Sequence, residues 1–335
     1  MNKLRFEPYS FPEYLQRNPA RRIWRVIYPA LLFVLIQVMV GAIFVTITSI
    51  ALEVQHMMSN GIPSVTRWDV ILSDSDQIYE QAMEIFTKYS MHLVLLTDIA
   101  ALAVFIPIWL KTRKYRPATI RTASAARPLI LTFLLVPGIS LLVSSIIELF
   151  GLNDMSETFQ EVMEMITGTS FALQILAVVI IGPIAEELIF RGVILNRALS
   201  WMPKWAAITV SAALFGIIHM NFPQGIFAFC VGMICGWSYV RFRSVLIPIA
   251  AHVAVNLAST IINQISLGID PYNGSSARLV TIFMLAVIAL SAALVYPWLK
   301  TANVNVVYPN AILPDAAVDT AGTASAAIDD AAEGV

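Results

Sequence analysis

Charge is what this chain has least of. Only 13% of its 335 residues are Asp, Glu, Lys or Arg, against about 25% in an ordinary soluble domain. That shortage, beside several apolar runs of spanning length, excludes a soluble globular protein and predicts an all-α polytopic membrane protein. A transmembrane barrel is excluded as well, because it would show short alternating segments. There are only two cysteines, Cys230 and Cys235, five residues apart in one apolar stretch. They read as small apolar filler, not as a disulfide or a metal pair. The chain lacks the H-E-x-x-H zinc spacing, a phosphate-binding loop, a Gly-rich nucleotide fingerprint, a nucleic-acid module and an internal repeat. No cleavable signal peptide is expected, because the first 22 residues are polar and mixed and the first apolar run is too long for one.

The apolar runs fall at about 24–51, 91–110, 128–150, 171–198, 205–221, 225–240, 244–265 and 279–299, giving about eight spans. The sixth is the shortest and is expected to be tilted or re-entrant. With the N-terminus in the cytoplasm, eighteen Lys and Arg fall on the inner side and three (Arg67, Lys88, Arg278) on the outer side. Both termini of this integral cell-membrane protein are therefore expected in the cytoplasm. Residues 1–22 read as a cytoplasmic N-terminal segment. Residues 23–127 hold two membrane helices, with an acidic outer loop at 53–90, a surface helix near 76–90, and a basic cytoplasmic loop at 111–127. A membrane core follows at 128–300. The remainder, 301–335, is rich in Ala, Thr and Asp, has no aromatic residue beyond Tyr308, and reads as a disordered cytoplasmic tail. Membrane lipid is the evident partner, and no nucleic acid is expected.

Against this background two adjacent acids, Glu186 and Glu187, interrupt the fourth run. An ionisable group at bilayer depth is a functional-site hypothesis by default. Successive residues of a helix lie about 100° apart, so the two acids are expected to face different neighbours. Glu187 and Arg191 are spaced i, i+4 with the acid first, the favoured order for an intrahelical pair. Glu186 is left as the free carboxylate. His252 and Asn256 share one face of the seventh run, and His219 closes the fifth. At about 1.5 Å per residue, Glu186, His219 and Asn256 lie about 18–21 Å from the cytoplasmic ends of their helices. Three segments thus bring polar groups to one layer.

A carboxylate among apolar helices makes a better general base near neutral pH than one in water. Glu186 and His219 are suited to activating a water, and His252 and Asn256 to stabilising the oxyanion formed when it attacks a carbonyl. Glu186, His219 and His252 also supply the ligand types of an open catalytic zinc site. The residues leave these two chemistries open. Asp98, about a turn and a half from the outer end of the second run, reads as reaching the interface or pairing with His92. Pro183 loosens the backbone before Glu186 and would ease the approach of water.

The run from Pro183 to Gly192 resembles the P-x-x-E-E-x-x-F-R-G motif of the CPBP family (CAAX protease and bacteriocin-processing, or Abi) of intramembrane endopeptidases. Phe215 to His219 is similar to its F-x-x-x-H motif, and His252 to Asn256 to its H-x-x-x-N motif. Tyr239, Arg241, Ser244 and Pro248 lead into the third. The resemblance covers roughly residues 128–262. It implies a protease acting on a membrane-associated peptide, either CAAX-like and prenylated or of leader type, as with the Ras-converting CAAX prenyl proteases. It places Glu186 as the catalytic acid working with His219 on a water, and His252 and Asn256 at the oxyanion. Family members are described both as metalloproteases and as glutamate proteases, so Zn2+ stays open. Two other readings fit the same residues: a non-catalytic membrane partner, such as a bacteriocin-immunity or scaffold protein, and a proton-coupled transporter relaying through Glu186 and His219. The transporter is disfavoured because no paired broken helices or internal repeat are visible.

Overall fold

The computed structural model describes residues 18–60, 68–113, 126–242 and 244–267, with 290 and 293. These form eight helices and no strand among the described residues. They are α1 Pro19–Asn60, α2 Trp68–Arg113, α3 Ala126–Leu149, α4 Glu157–Thr167, α5 Phe171–Ala198, α6 Lys204–Ile217, α7 Phe222–Phe242 and α8 Leu246–Leu267. Six of them (α1, α2, α3, α5, α7 and α8) are long and apolar enough to cross a membrane. The protein is an all-α polytopic membrane protein.

Three boundaries differ from those expected. The seventh run of the chain (α8) and the fourth (α5) stand as read, but the short helix is α6, with 14 residues, not α7, which has 21. Hydropathy places His219 inside the fifth run, whereas the helix stops at Ile217. Met220 adopts a left-handed φ of 59° and reverses the chain there. The acidic loop expected at 53–90 is helical at 53–60 and at 68–90, because α2 runs unbroken from Trp68 through the expected surface helix into the second span. At about 1.5 Å per residue, α1 and α2 are longer than the roughly 30 Å hydrocarbon layer, so both project beyond it. Most of the eighth run at 279–299, the tail at 301–335, most of the 1–22 segment and most of the 111–127 loop lie outside the described residues.

Helix α5 is the hub and packs against α1, α2, α6, α7 and α8. Its Ile189, Phe190, Val193, Ile194 and Leu195 are fully buried, in one cluster with Phe33 of α1, Phe105 of α2 and Ile208 and Phe215 of α6. It is not a uniform α-helix. Ile175–Ile181 and Leu188–Leu195 are π-helical, on either side of an α-helical turn at Gly182–Glu187. Such stretches widen the helix and free backbone carbonyls for other partners. The Ser211 hydroxyl takes the Phe190 carbonyl at 3.1 Å. Helices α6 and α7 form a hairpin whose closest approach is glycine on glycine. A Cβ built on Gly216 would lie 2.6 Å from the Gly225 carbonyl oxygen. Small residues permit such backbone contact in membranes, where apolar burial alone does not drive helices together.

Candidate active site

Glu186, His219, His252 and Asn256 all line one cavity of about 270 Å3. Glu186 comes from the α-helical turn of α5, His219 from the reversal after α6, and His252 and Asn256 from α8.

The reversal that carries His219 is held from both sides. Asn221 accepts a hydrogen bond from the Gln224 backbone N–H at 3.0 Å, capping α7. Its amide donates to the His219 carbonyl at 3.0 Å and to Gln224 Oε1 at 2.8 Å. This capping arrangement is legible in the residues Asn221-Phe-Pro-Gln224, an Asn followed three positions later by Gln with Pro in the first turn. His219 Nδ1 lies 2.8 Å from the Phe215 carbonyl. A carbonyl only accepts, so Nδ1 carries the proton, and in the neutral ring Nε2 keeps its lone pair.

Below the cavity runs a chain of charge. Arg191 donates to Glu187 Oε1 at 2.7 Å and to the Gly232 carbonyl at 3.1 Å, and both ionic side chains are fully buried. His252 Nδ1 lies 3.0 Å from the same Glu187 oxygen, and its Nε2 lies 3.6 Å from Glu186 Oε2. The two glutamates therefore do share a neighbour, contrary to the expectation from helical spacing. The reason is the imidazole, whose nitrogens sit on opposite edges of the ring and bridge carboxylates that diverge from the helix. Glu187 is thus more than an intrahelical partner of Arg191: it fixes the orientation of His252. Glu187 Oε2 is buried with no hydrogen-bond partner.

Phe215 joins these parts. Its ring lies 4.8 Å from the Arg191 guanidinium carbon and meets the rings of Phe190, His219 and His252 edge-on, with centroids 5.0, 5.0 and 5.6 Å apart. The cation over its face and the polarised edges around it are favourable quadrupole contacts. The sequence marked Phe215 only as part of a motif, because spacing along one helix does not report contacts to two others.

Asn256 is already engaged. Its amide donates to the Val178 carbonyl at 2.8 Å. Gly182 N–H reaches back five residues to the Ala177 carbonyl. In the same pattern Val178 would receive the N–H of residue 183, but that residue is proline and has none. Asn256 fills the vacancy that Pro183 creates and keeps one amide hydrogen for the cavity.

Asp98 lies elsewhere than expected. It neither reaches the interface nor pairs with His92, which is exposed with its ring against Tyr89. Asp98 is 5% exposed and lines the same cavity. Its Oδ2 lies 3.4 Å from where a Cβ on Gly182 would sit. Gly182 stands one turn before Glu186 on the same face of α5, and the missing side chain there makes room for the acid. Hydropathy gave no sign of this, since it does not say which way one residue of a spanning helix faces.

No group of three or more His, Cys, Asp and Glu is placed to hold a metal ion among the described residues. Of the four ring nitrogens of His219 and His252, three face Phe215, Glu187 and Glu186, and His219 Nε2 is left for the cavity. Cys230 and Cys235 are both free.

Residues 168–258 match the family model described as type II CAAX prenyl endopeptidase Rce1-like. A Bacillus subtilis (strain 168) protein named "Putative membrane peptidase YdiL" is 30% identical over 107 residues, 32% of this chain and 43% of that protein. The match thus spans less than half the length of this curated relative. No solved structure matches the chain. Every residue of the cavity from α5, α6, α7 and α8 falls within the matched stretch, and Asp98 falls outside it.

Proposed function

From the match of residues 168–258 to the Rce1-like, type II CAAX prenyl endopeptidase family, we infer a membrane-embedded peptidase that uses Glu186 as its general base. The observation that carries this reading is the meeting of Glu186, His219, His252 and Asn256, from separate segments, on one cavity.

In this reading a water sits between Glu186 and His219. His219 Nε2 accepts one of its hydrogens, because Nδ1 is committed to Phe215. Glu186 takes the other as the water oxygen attacks the scissile carbonyl carbon. The carbonyl π electrons pass to oxygen, and the oxyanion receives the free amide hydrogen of Asn256. His252, held at Nδ1 by Glu187, faces the same oxygen with Nε2. Collapse breaks the C–N bond, and Glu186 returns its proton to the departing amine. Arg191 and Glu187 touch no reacting atom; they orient His252 as a third group orients a catalytic base. In this reading Glu186 and His219 activate the water themselves, and no step runs through a metal.

The substrate is a membrane-associated peptide, CAAX-like and prenylated or of leader type. The skew of Lys and Arg supports cytoplasmic termini. The test compares terminal peptides across the host proteome in strains making wild type, Glu186→Gln or His219→Ala at matched membrane levels. Peptide ends present in wild type and lost in both variants are expected. Identical ends in all three strains would instead favour a non-catalytic membrane partner of the same fold.

A further inference from the structure

Asp98 lies outside the family match, lines the cavity and is 95% buried, yet it makes no hydrogen bond or ion pair among the described residues. A carboxylate in that state is strongly disfavoured unless a partner arrives. The titratable groups lining the cavity are Asp98, Glu186, His219 and His252, and no Lys or Arg is among them. The cation nearest in sequence to Glu186, Arg191, is consumed by Glu187 on the far side of His252. The approach is of the same sign. Helix α4 lays Val162, Met165 and Ile166 against the cavity and exposes Glu157, Glu161 and Glu164. Residues 151–168 contain no basic side chain. Acidic groups thus stand on the cavity wall, in a low-dielectric setting where charge complementarity acts strongly, and on the exposed side of the helix that covers it.

We propose that Asp98 forms a cation-accepting subsite of the peptide-binding cavity, taking the ammonium or guanidinium of a basic residue beside the scissile bond. The subsite rests on the peptidase reading above. Asp98 stacks on Gly182, one turn from Glu186, so the basic side chain lies next to the reacting carbonyl. Removing one partner of a buried charge pair costs about 2–5 kcal/mol, which corresponds to at least about 30-fold in affinity or kcat/KM.

The experiment uses the full chain in nanodiscs and synthetic peptides of one sequence in which lysine or glutamate replaces norleucine at each position in turn. Binding is measured on the Glu186→Gln background and cleavage on the Glu186 background, each with Asp98, Asp98→Asn or Asp98→Ser. One lysine position is expected to be favoured by at least about 30-fold with Asp98, and by neither neutral variant. Asp98→Lys is expected to turn the preference toward glutamate at that position. Lysine-selective binding without cleavage would keep the subsite and remove the peptidase reading. Cleavage that Glu186→Gln abolishes, with no lysine preference, would do the reverse. A preference that survives in Asp98→Asn overturns the subsite. If Asp98→Asn instead shifts only the pH–rate profile, Asp98 shares a proton with Glu186 and the subsite also falls.

Discussion

Helix α1 and helix α5 are both apolar spans, yet they do opposite things with their surfaces. In the most apolar stretch of α1, 11% of residues are buried within the protein; in α5 the share is 56%. Leu31, Leu35, Val38, Ile43, Ile47 and Ile50 of α1 are half exposed or more and form a stripe along the helix. In a bilayer that stripe loses nothing, because lipid tails are as apolar as the side chains it would otherwise touch. Helix α5 carries Glu186, Glu187 and Arg191, and these cannot face lipid without a large penalty. The bundle therefore encloses the helix with the charges and leaves the more hydrophobic one outside, the reverse of the order in a water-soluble fold. What selects a helix for the centre here is its need for polar partners.

The most severe way to break that contrast is Arg191→Met. It leaves the Glu187 carboxylate buried with only His252 to answer it, and a buried pair broken from one side loses about 3–5 kcal/mol. Unfolding measured by steric trapping in bicelles should show a loss of that size. The double variant Arg191→Met/Glu187→Leu should recover much of it, since no charge then remains unpaired. A loss below about 1 kcal/mol for the single variant would mean that Arg191 does not hold the site together.

A finer cut falls on the Pro183 vacancy. Asn256→Leu leaves the Val178 carbonyl without a donor, a loss of about 1–3 kcal/mol. Pro183→Ala restores an N–H at residue 183, so in the Asn256→Leu background it should regain stability, and in the wild-type background it should gain less. Additive effects of the two substitutions would show that Asn256 and Pro183 are not coupled through Val178.

These cases also show what the residues disclosed before the coordinates. The Glu187–Arg191 pair was legible because i, i+4 spacing settles it. The gathering of Glu186, His219 and Asn256 was legible from depth, since rise per residue is nearly fixed, and His252 joins them because it shares a helix face with Asn256. The two π-helical stretches were not, because they depend on packing between helices, the first against α2 and α8 and the second against α1, α2, α6 and α7. Without them the bond from Asn256 to Val178 has no motive. His252 touching both glutamates was hidden for a related reason. Angular spacing describes where side chains leave one helix, and a two-edged ring from another helix can span the gap. Asp98 was misread because a lone acid in an apolar run gives no azimuth, and the glycine that seats it is 84 positions away in the sequence.

The smallest effect belongs to α1. Val38 is 60% exposed and lies at the middle of the lipid-facing stripe. Val38→Ala removes methyl groups that touch lipid in the folded state and lipid again when the helices separate. The change should therefore stay within about 0.5 kcal/mol by the same steric-trapping measurement. Phe33, also in α1 but fully buried against α5, provides the internal control. Phe33→Ala opens a cavity inside the bundle that lipid cannot fill, and it should lose about 3–5 kcal/mol. Equal losses at Val38 and Phe33 would mean that the stripe is covered by protein, and that α1 is as enclosed as α5.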